Sequence, residues 1–152
     1  FKKSSSGWIV KNKEILNLEK KYQIANFADF CNECGNCDIF CPEDGGPYLL
    51  KPRFFGSKES FQKFINRDGF FIEWDTKKIF ARFDGKEYEV LLNGKNVNFS
   101  GPDFEIKFSK DDPENTISGN AKGPVSLLNY DIMLMVRSAI LDSKKSSYIK
   151  PY

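Results

Sequence analysis

The chain of 152 residues contains no histidine. That absence removes Ser/His and Cys/His nucleophilic catalysis, Rieske-type ligation and Cys2His2 zinc fingers from the chemistry open to it. Charge of either sign is scarcely in excess: the net is +2, and no basic stripe marks a nucleic-acid-binding surface. No apolar run approaches the length of a membrane span. Neither G-x-G-x-x-G nor G-x-x-x-x-G-K occurs, so no nucleotide site is legible. Cysteine is sparse as well. There are four, and all lie between positions 31 and 41. Disulfide-stapled domains spread their cysteines to close long loops, so this crowding argues for free thiols in a reducing compartment, the cytoplasm.

What the chain does have is one cysteine run, Cys31-Asn-Glu-Cys34-Gly-Asn-Cys37-Asp-Ile-Phe-Cys41-Pro42. Its spacing, C-x2-C-x2-C-x3-C-P, is the run with which bacterial-type ferredoxins hold [4Fe–4S] clusters. Thiolates are soft donors that suit iron–sulfur clusters and zinc alike. A structural Zn2+ site, making the chain an interaction module, is the alternative, but zinc ribbons pair two C-x2-C knuckles from separated segments. Gly35 lets backbone N–H groups approach sulfur, and Pro42 turns the chain away after the last ligand. In two-cluster ferredoxins the first three cysteines serve one cluster and the fourth serves the other. Cys31, Cys34 and Cys37 then need a fourth ligand from elsewhere, and Cys41 needs three. The chain reads as half of a two-cluster module within a longer polypeptide, and its own four cysteines are not expected to hold one complete cluster together. Glu33, Asp38, Glu43 and Asp44 surround the run with negative charge, which lowers a cluster's potential unless they are merely solvated surface carboxylates.

The rest reads as α+β: a ferredoxin-type half-motif followed by an antiparallel β-meander with two flanking helices. Residues 1–55 form the iron–sulfur segment and 56–152 a small α+β domain. Trp8-Ile9-Val10 is a short apolar run, and Ile15, Leu16 and Leu18 fit helix or strand equally. Tyr22, Ile24, Phe27 and Phe30 bring packing groups to the first cysteine, where ferredoxins place a strand. A helical turn over 38–42 carries Cys41, residues 43–47 form a loop, and Tyr48 to Phe55 form an extended connector. Ser57 caps a helix with Phe61, Phe64 and Ile65 on one face, ended by Asn66 to Gly69. Alternating apolar residues from Phe70 to Phe108 predict four or five strands, with Phe70, Ile72 and Trp74 in the first and turns at Asp84-Gly85 and Asn93-Gly94. Residues 109–125 read as a mobile loop whose acidic residues are solvated and lack the EF-hand ligand pattern. A last helix from about Asn129 to Asp142 has Ile132, Met135, Val136, Ala139 and Ile140 as its apolar stripe and covers one face of the sheet. No catalytic residue is visible, and a docking or scaffold role without chemistry of its own is a further reading of residues 56–152.

The cysteine run, the Phe40-Cys41-Pro42 step, Gly46-Pro47-Tyr48, Lys51 to Phe55, Ser57 to Phe61 and Asn66 to Phe70 together resemble the C-terminal iron–sulfur region of the selenate reductase subunit family. These flavoproteins are related to the small subunit of glutamate synthase and to dihydropyrimidine dehydrogenase. The resemblance covers about residues 22–85 well and the remainder more weakly. It implies an electron-transfer segment of a larger oxidoreductase. FAD- and NAD(P)H-binding parts would lie upstream in the same polypeptide, together with a second cysteine motif that this chain lacks, and a redox partner protein is implied. It also implies that Cys31, Cys34, Cys37 and Cys41 occupy cluster-ligand positions.

Overall fold

The computed structural model describes residues 1–17, 25–41, 45–142 and 149. A hairpin of β1 (Lys2–Ser4) and β2 (Gly7–Ile9) stands beside one eight-stranded sheet. The sheet is built from β3 (Asn26–Phe27), β4 (Arg53–Phe55), β5 (Gly69–Glu73), β6 (Lys78–Phe83), β7 (Lys86–Asn93), β8 (Asn96–Gly101), β9 (Phe104–Ser109) and β10 (Ser118–Ala121). These lie side by side in sequence order from β3 at one edge to β10 at the other. The pairs β3–β4 and β4–β5 are parallel, and all later pairs are antiparallel. Parallel neighbours need a long crossover. The crossover from β3 to β4 is the cysteine segment, with a 3-10 turn (Ala28–Phe30), α1 (Asn36–Ile39) and α2 (Gly46–Leu50). The crossover from β4 to β5 carries α3 (Lys58–Lys63). Hydrogen bonding therefore runs straight across the boundary drawn between residues 55 and 56. Residues 1–55 contribute two strands, β3 and β4, to the same sheet as β5 to β10.

Several elements differ from the sequence expectation. Asp84 and Gly85, at φ of 50° and 70°, make the two-residue loop between β6 and β7. The next loop is Gly94–Lys95, one residue later than Asn93–Gly94, because Gly94 supplies the positive φ at the first loop position and Asn93 still pairs with Asn96. Trp74 falls past the end of β5, where the Lys77 ammonium lies 5.2 Å from its ring centre. Residues 46–50 are helical rather than loop and extended connector. Residues 109–125 carry α4 (Pro113–Thr116) and β10 in place of a continuous loop. Asp112 caps α4, with its carboxylate accepting from the Asn115 backbone N–H at 3.3 Å, and Asp111 pairs with Lys95 at 2.6 Å. The described residues thus hold five helices, not two beside the sheet. Leu18, Tyr22, Ile24, Pro42, Glu43 and Asp44 lie outside the described residues.

Alternation places two cores on opposite faces. Phe54, Phe70, Ile72, Ile79, Ala81, Val90 and Phe99 pack with Tyr130 and Met133 of α5 (Leu128–Leu141). The side chains of α5 buried there are Tyr130 and Met133. Ala139 of the expected stripe is exposed and Met135 only half-buried. The opposite face buries Phe55, Phe71 and Phe80 against Phe61 and Ala28. Helix α3 begins at Ser57, whose hydroxyl accepts from the Ser60 N–H at 3.0 Å, and stops at Lys63, so Phe64 and Ile65 lie beyond it and Ile65 is exposed.

Arg82 of β6 explains that stop. Its side chain is fully buried and its guanidinium lies 4.2 Å from the Phe61 ring centre. It donates to the carbonyls of Phe61 (3.1 Å), Phe64 (3.0 Å) and Arg67 (2.8 Å) and to Glu87 Oε1 (2.6 Å). Terminal helix carbonyls lack partners within the helix, and here the sheet supplies them. Arg82→Met is expected to lower unfolding stability by about 3 kcal/mol, since it strands buried acceptors. Urea denaturation checks this, and a midpoint equal to wild type would contradict it.

Candidate cysteine site

The first cysteine follows the 3-10 turn, with the Cys31 N–H donating to the Ala28 carbonyl at 3.1 Å. The Asn32 side-chain oxygen accepts from the Cys34 N–H at 3.2 Å, bending the chain between the first two thiols. Gly35 sits at φ 78° and starts α1; a Cβ there would meet open space, so the backbone angle rather than crowding requires glycine. Helix α1 carries Cys37, whereas Cys41 lies two residues beyond it, and the expected helical turn over 38–42 is displaced toward the N-terminus. Asp38 Oδ1 accepts from the Gly45 N–H at 3.0 Å. A Cβ on Gly46 would come within 3.1 Å of Asp38 Cα, so the start of α2 lies close against α1. Pro47 fits the first turn of α2, where no intrahelical donor is lost.

Two carboxylates bind this crossover to the sheet. Asp29 accepts from the Gly56 N–H at 3.1 Å and from the Ser60 hydroxyl, joining the 3-10 turn to the start of α3. Glu33, between the first two cysteines, accepts from Arg53 Nη1 at 2.7 Å and Arg67 Nη2 at 2.6 Å. Arg53 belongs to β4, is buried, and also donates to the Tyr48 carbonyl at 2.6 Å. Glu33 adopts φ 55°, unusual for a residue with a side chain and enforced here by this pair of contacts. The hydrogen bond from Arg53, reinforced by the charges of Arg53 and Arg67, holds its carboxyl below the ordinary value of 4.5 against desolvation. Glu33 is therefore neither a bare negative charge beside the thiols nor a solvated surface group. Asp38 is likewise engaged with backbone.

Cys31 and Cys41 are half-buried and Cys34 and Cys37 exposed, all four as free thiols. Cys31, Cys34 and Cys37 line one concavity of about 470 Å3, to whose wall Asn26, Phe27 and Tyr48 contribute. Cys41 is not part of that lining. The three thiols surround the space rather than converge on a point: among the described residues, no three His, Cys, Asp or Glu side chains are gathered closely enough to hold a single metal ion. The side-chain amide nitrogen of Asn26 is buried and has no hydrogen-bond partner among the described residues. Sulfur donors around one open cavity are a soft donor set that suits a sulfur-rich group. Phe30, expected to pack, is mostly exposed and meets Phe27 edge-on at 4.9 Å. Ile39 and Phe40 are also exposed beside the site. Sequence reasoning missed Asn26, Arg53 and Arg67. Only their proximity in the folded chain reveals them.

No protein-family model matches the chain, and no solved structure matches it. Over 81 residues, 53% of the chain, it is 38% identical to the protein named "Putative oxidoreductase YgfK" of Escherichia coli strain K12, covering 8% of that protein. The protein of the same name from Escherichia coli O157:H7 is 38% identical over 59 residues, 39% of this chain and 6% of its own length. The chain thus spans less than a tenth of the curated relatives it matches. Among the described residues no helix is long and apolar enough to cross a membrane.

The Glu33 contacts make a pH-dependent contribution. A carboxyl with a lowered folded-state pKa stabilises fully above its unfolded value, and that gain is lost as pH falls. The stability difference between wild type and Glu33→Gln should therefore hold at pH 7. It should shrink as pH drops below 4.5 and vanish once the lowered folded-state value is passed. Urea midpoints of both proteins from pH 7 to about pH 3 test this; an undiminished difference at the acid end would refute it.

Proposed function

We propose that the cysteine segment is an electron-transfer site within a larger oxidoreductase, holding a [4Fe–4S] cluster through Cys31, Cys34 and Cys37. Cys41 serves a second cluster whose other ligands come from elsewhere. The observation that carries this reading is the shared cavity of the first three thiols, from which Cys41 is absent. The spacing of the run and the likeness to proteins named as oxidoreductases support it further. Bound there, the cluster supplies a one-electron carrier whose potential depends on charge, hydrogen bonds to sulfur and exposure.

The protein's own groups have separate tasks in this reading. The three thiolates bind, and Gly35 and Asn32 shape the loop between them. Glu33 and Asp29 fix that loop to β4 and α3. Residues 56–142 act as the support, because their buried Arg82 and aromatic side chains hold the sheet that anchors Arg53. The resemblance extends the proposal to a parent polypeptide that binds FAD and NAD(P)H upstream and passes electrons to or from a partner protein. Retention of free thiolates requires a reducing compartment, which makes the cytoplasm the proposed location.

Anaerobic reconstitution with iron, sulfide and an excess of a small thiol tests the ligand assignment. Wild-type protein should take up iron and acid-labile sulfide rather than zinc. Cys34→Ser should lose most of the iron and the electron paramagnetic resonance signal of the reduced protein, and Cys41→Ser should keep both. Zinc uptake without sulfide would overturn the electron-transfer reading. Equal iron loss in both variants would place all four thiols on one cluster.

A further inference from the structure

We propose that Arg67, as the second guanidinium on a carboxylate that Arg53 already balances, raises the one-electron potential of the cluster held by Cys31, Cys34 and Cys37. The inference rests on the cluster reading above and assigns a tuning role to a residue outside the cysteine run. Glu33 stands one position from Cys34 and two from Cys31. Backbone spacing alone keeps the Glu33 and Cys34 Cα atoms about 3.8 Å apart. Arg53, Glu33 and Cys31 also border one concavity of about 300 Å3. Charges gathered on this carboxylate therefore lie well inside the roughly 30 Å Debye length of a low-salt buffer.

The two guanidinium groups take different oxygens of Glu33, Arg53 Nη1 at 2.7 Å and Arg67 Nη2 at 2.6 Å. Arg53 is buried and also donates to the Tyr48 carbonyl, so it both balances Glu33 and fixes the loop. Arg67 adds a second positive charge where one already suffices. Its side chain is 40% exposed, so its removal leaves little apolar surface uncovered. Guanidinium groups stay protonated, and among the described residues neither pairs with another carboxylate. The three side chains together carry +1, where the cysteine run by itself places −1 at Glu33. Asp29 and Asp38 accept backbone N–H groups and add negative charge on either side of the run, which the surplus charge of Arg67 offsets. One added electron makes the site more negative, and a nearby positive charge favours that reduced state. The electron comes from the external reductant; no bond is broken and no proton moves.

The test is a dye-mediated redox titration with dithionite, followed by electron paramagnetic resonance, on anaerobically reconstituted wild type, Arg67→Gln and Arg67→Lys. The buffer has an ionic strength of about 0.01 M. Iron content should be the same in all three. At the wild-type midpoint the ratio of reduced to oxidised protein should be about fourfold lower in Arg67→Gln, the effect of one charge at roughly 10 Å and an effective dielectric constant of about 40. Arg67→Lys, which keeps the charge, should titrate as wild type. Salt at about 1 M shortens the Debye length tenfold and should shrink the difference, whereas a change in loop structure would persist. Should Arg67→Gln lose iron, Arg67→Met is the neutral variant of similar length. Equal potentials in wild type and an iron-loaded neutral variant, an equal shift in Arg67→Lys, or a difference undiminished by salt overturns the inference alone. So does iron loss from both neutral variants, which would make Arg67 a structural group. A wild type that takes up no iron overturns the cluster reading and the inference with it.

Discussion

The buried guanidinium of Arg53 is the contact on which the arrangement of the cysteines depends. It sits in β4, between two parallel neighbours, and reaches both Glu33 in the cysteine loop and the Tyr48 carbonyl in α2. One planar, permanently charged group thus ties the beginning and the end of the crossover to the strand that follows it. Arg67 shares the Glu33 carboxylate, so the loop is fixed to the segment after α3 as well. Removing one partner from such a partly buried set leaves the others facing apolar surroundings. The loop has few backbone hydrogen bonds of its own, and side-chain contacts to the sheet stand in their place.

The meander was legible because its signals are local. Phe70 and Ile72, Ile79 and Ala81, and Val97 and Phe99 alternate with residues on the opposite face. Asp84-Gly85 meets the demand for positive φ that a tight hairpin makes. The Gly94–Lys95 loop shows the limit of that reading: the glycine marks the turn, but the strand register decides which of its neighbours joins it. Strand β4 was hidden for a different reason. Arg53, Phe54 and Phe55 are all buried, as befits a strand covered on both faces, so no period-two pattern survives. Strand β10, Ser118-Gly-Asn-Ala, buries little and owes its place to pairing with β9. Helix α2 was masked by Gly45, Gly46 and Pro47, which read as breakers. Here Gly45 at φ 100° starts the helix, Gly46 fits against Asp38, and Pro47 occupies its first turn.

The candidate ligands were legible from spacing alone, because sulfur chemistry requires those residue types close together in the chain. Their surroundings were not. Glu33 lies 20 positions from Arg53 and 34 from Arg67, and no local pattern signals either pairing. Read as a run of letters, Glu33 and Asp38 add negative charge near sulfur. In the folded chain, Glu33 is balanced by two guanidinium groups and Asp38 holds the start of α2. The sign of the local field therefore follows from long-range partners rather than from the composition of the motif.

Two kinds of force hold the two parts of the molecule. The sheet is specified by burial: Phe99, Ile106, Val90 and Met133 are fully enclosed, and apolar contact is largely indifferent to direction. The crossover is specified by a few directed contacts: Asp29 and Glu33 accept hydrogen bonds from the segments that follow it, and Asp38 accepts from Gly45 within it. Its own apolar groups Ile39 and Phe40 remain in water. Charge-assisted hydrogen bonds fix both distance and angle, so a few of them determine the path of a short loop without a core. That difference accounts for a segment with two helices of only four and five residues that nevertheless brings three thiols to the wall of one cavity.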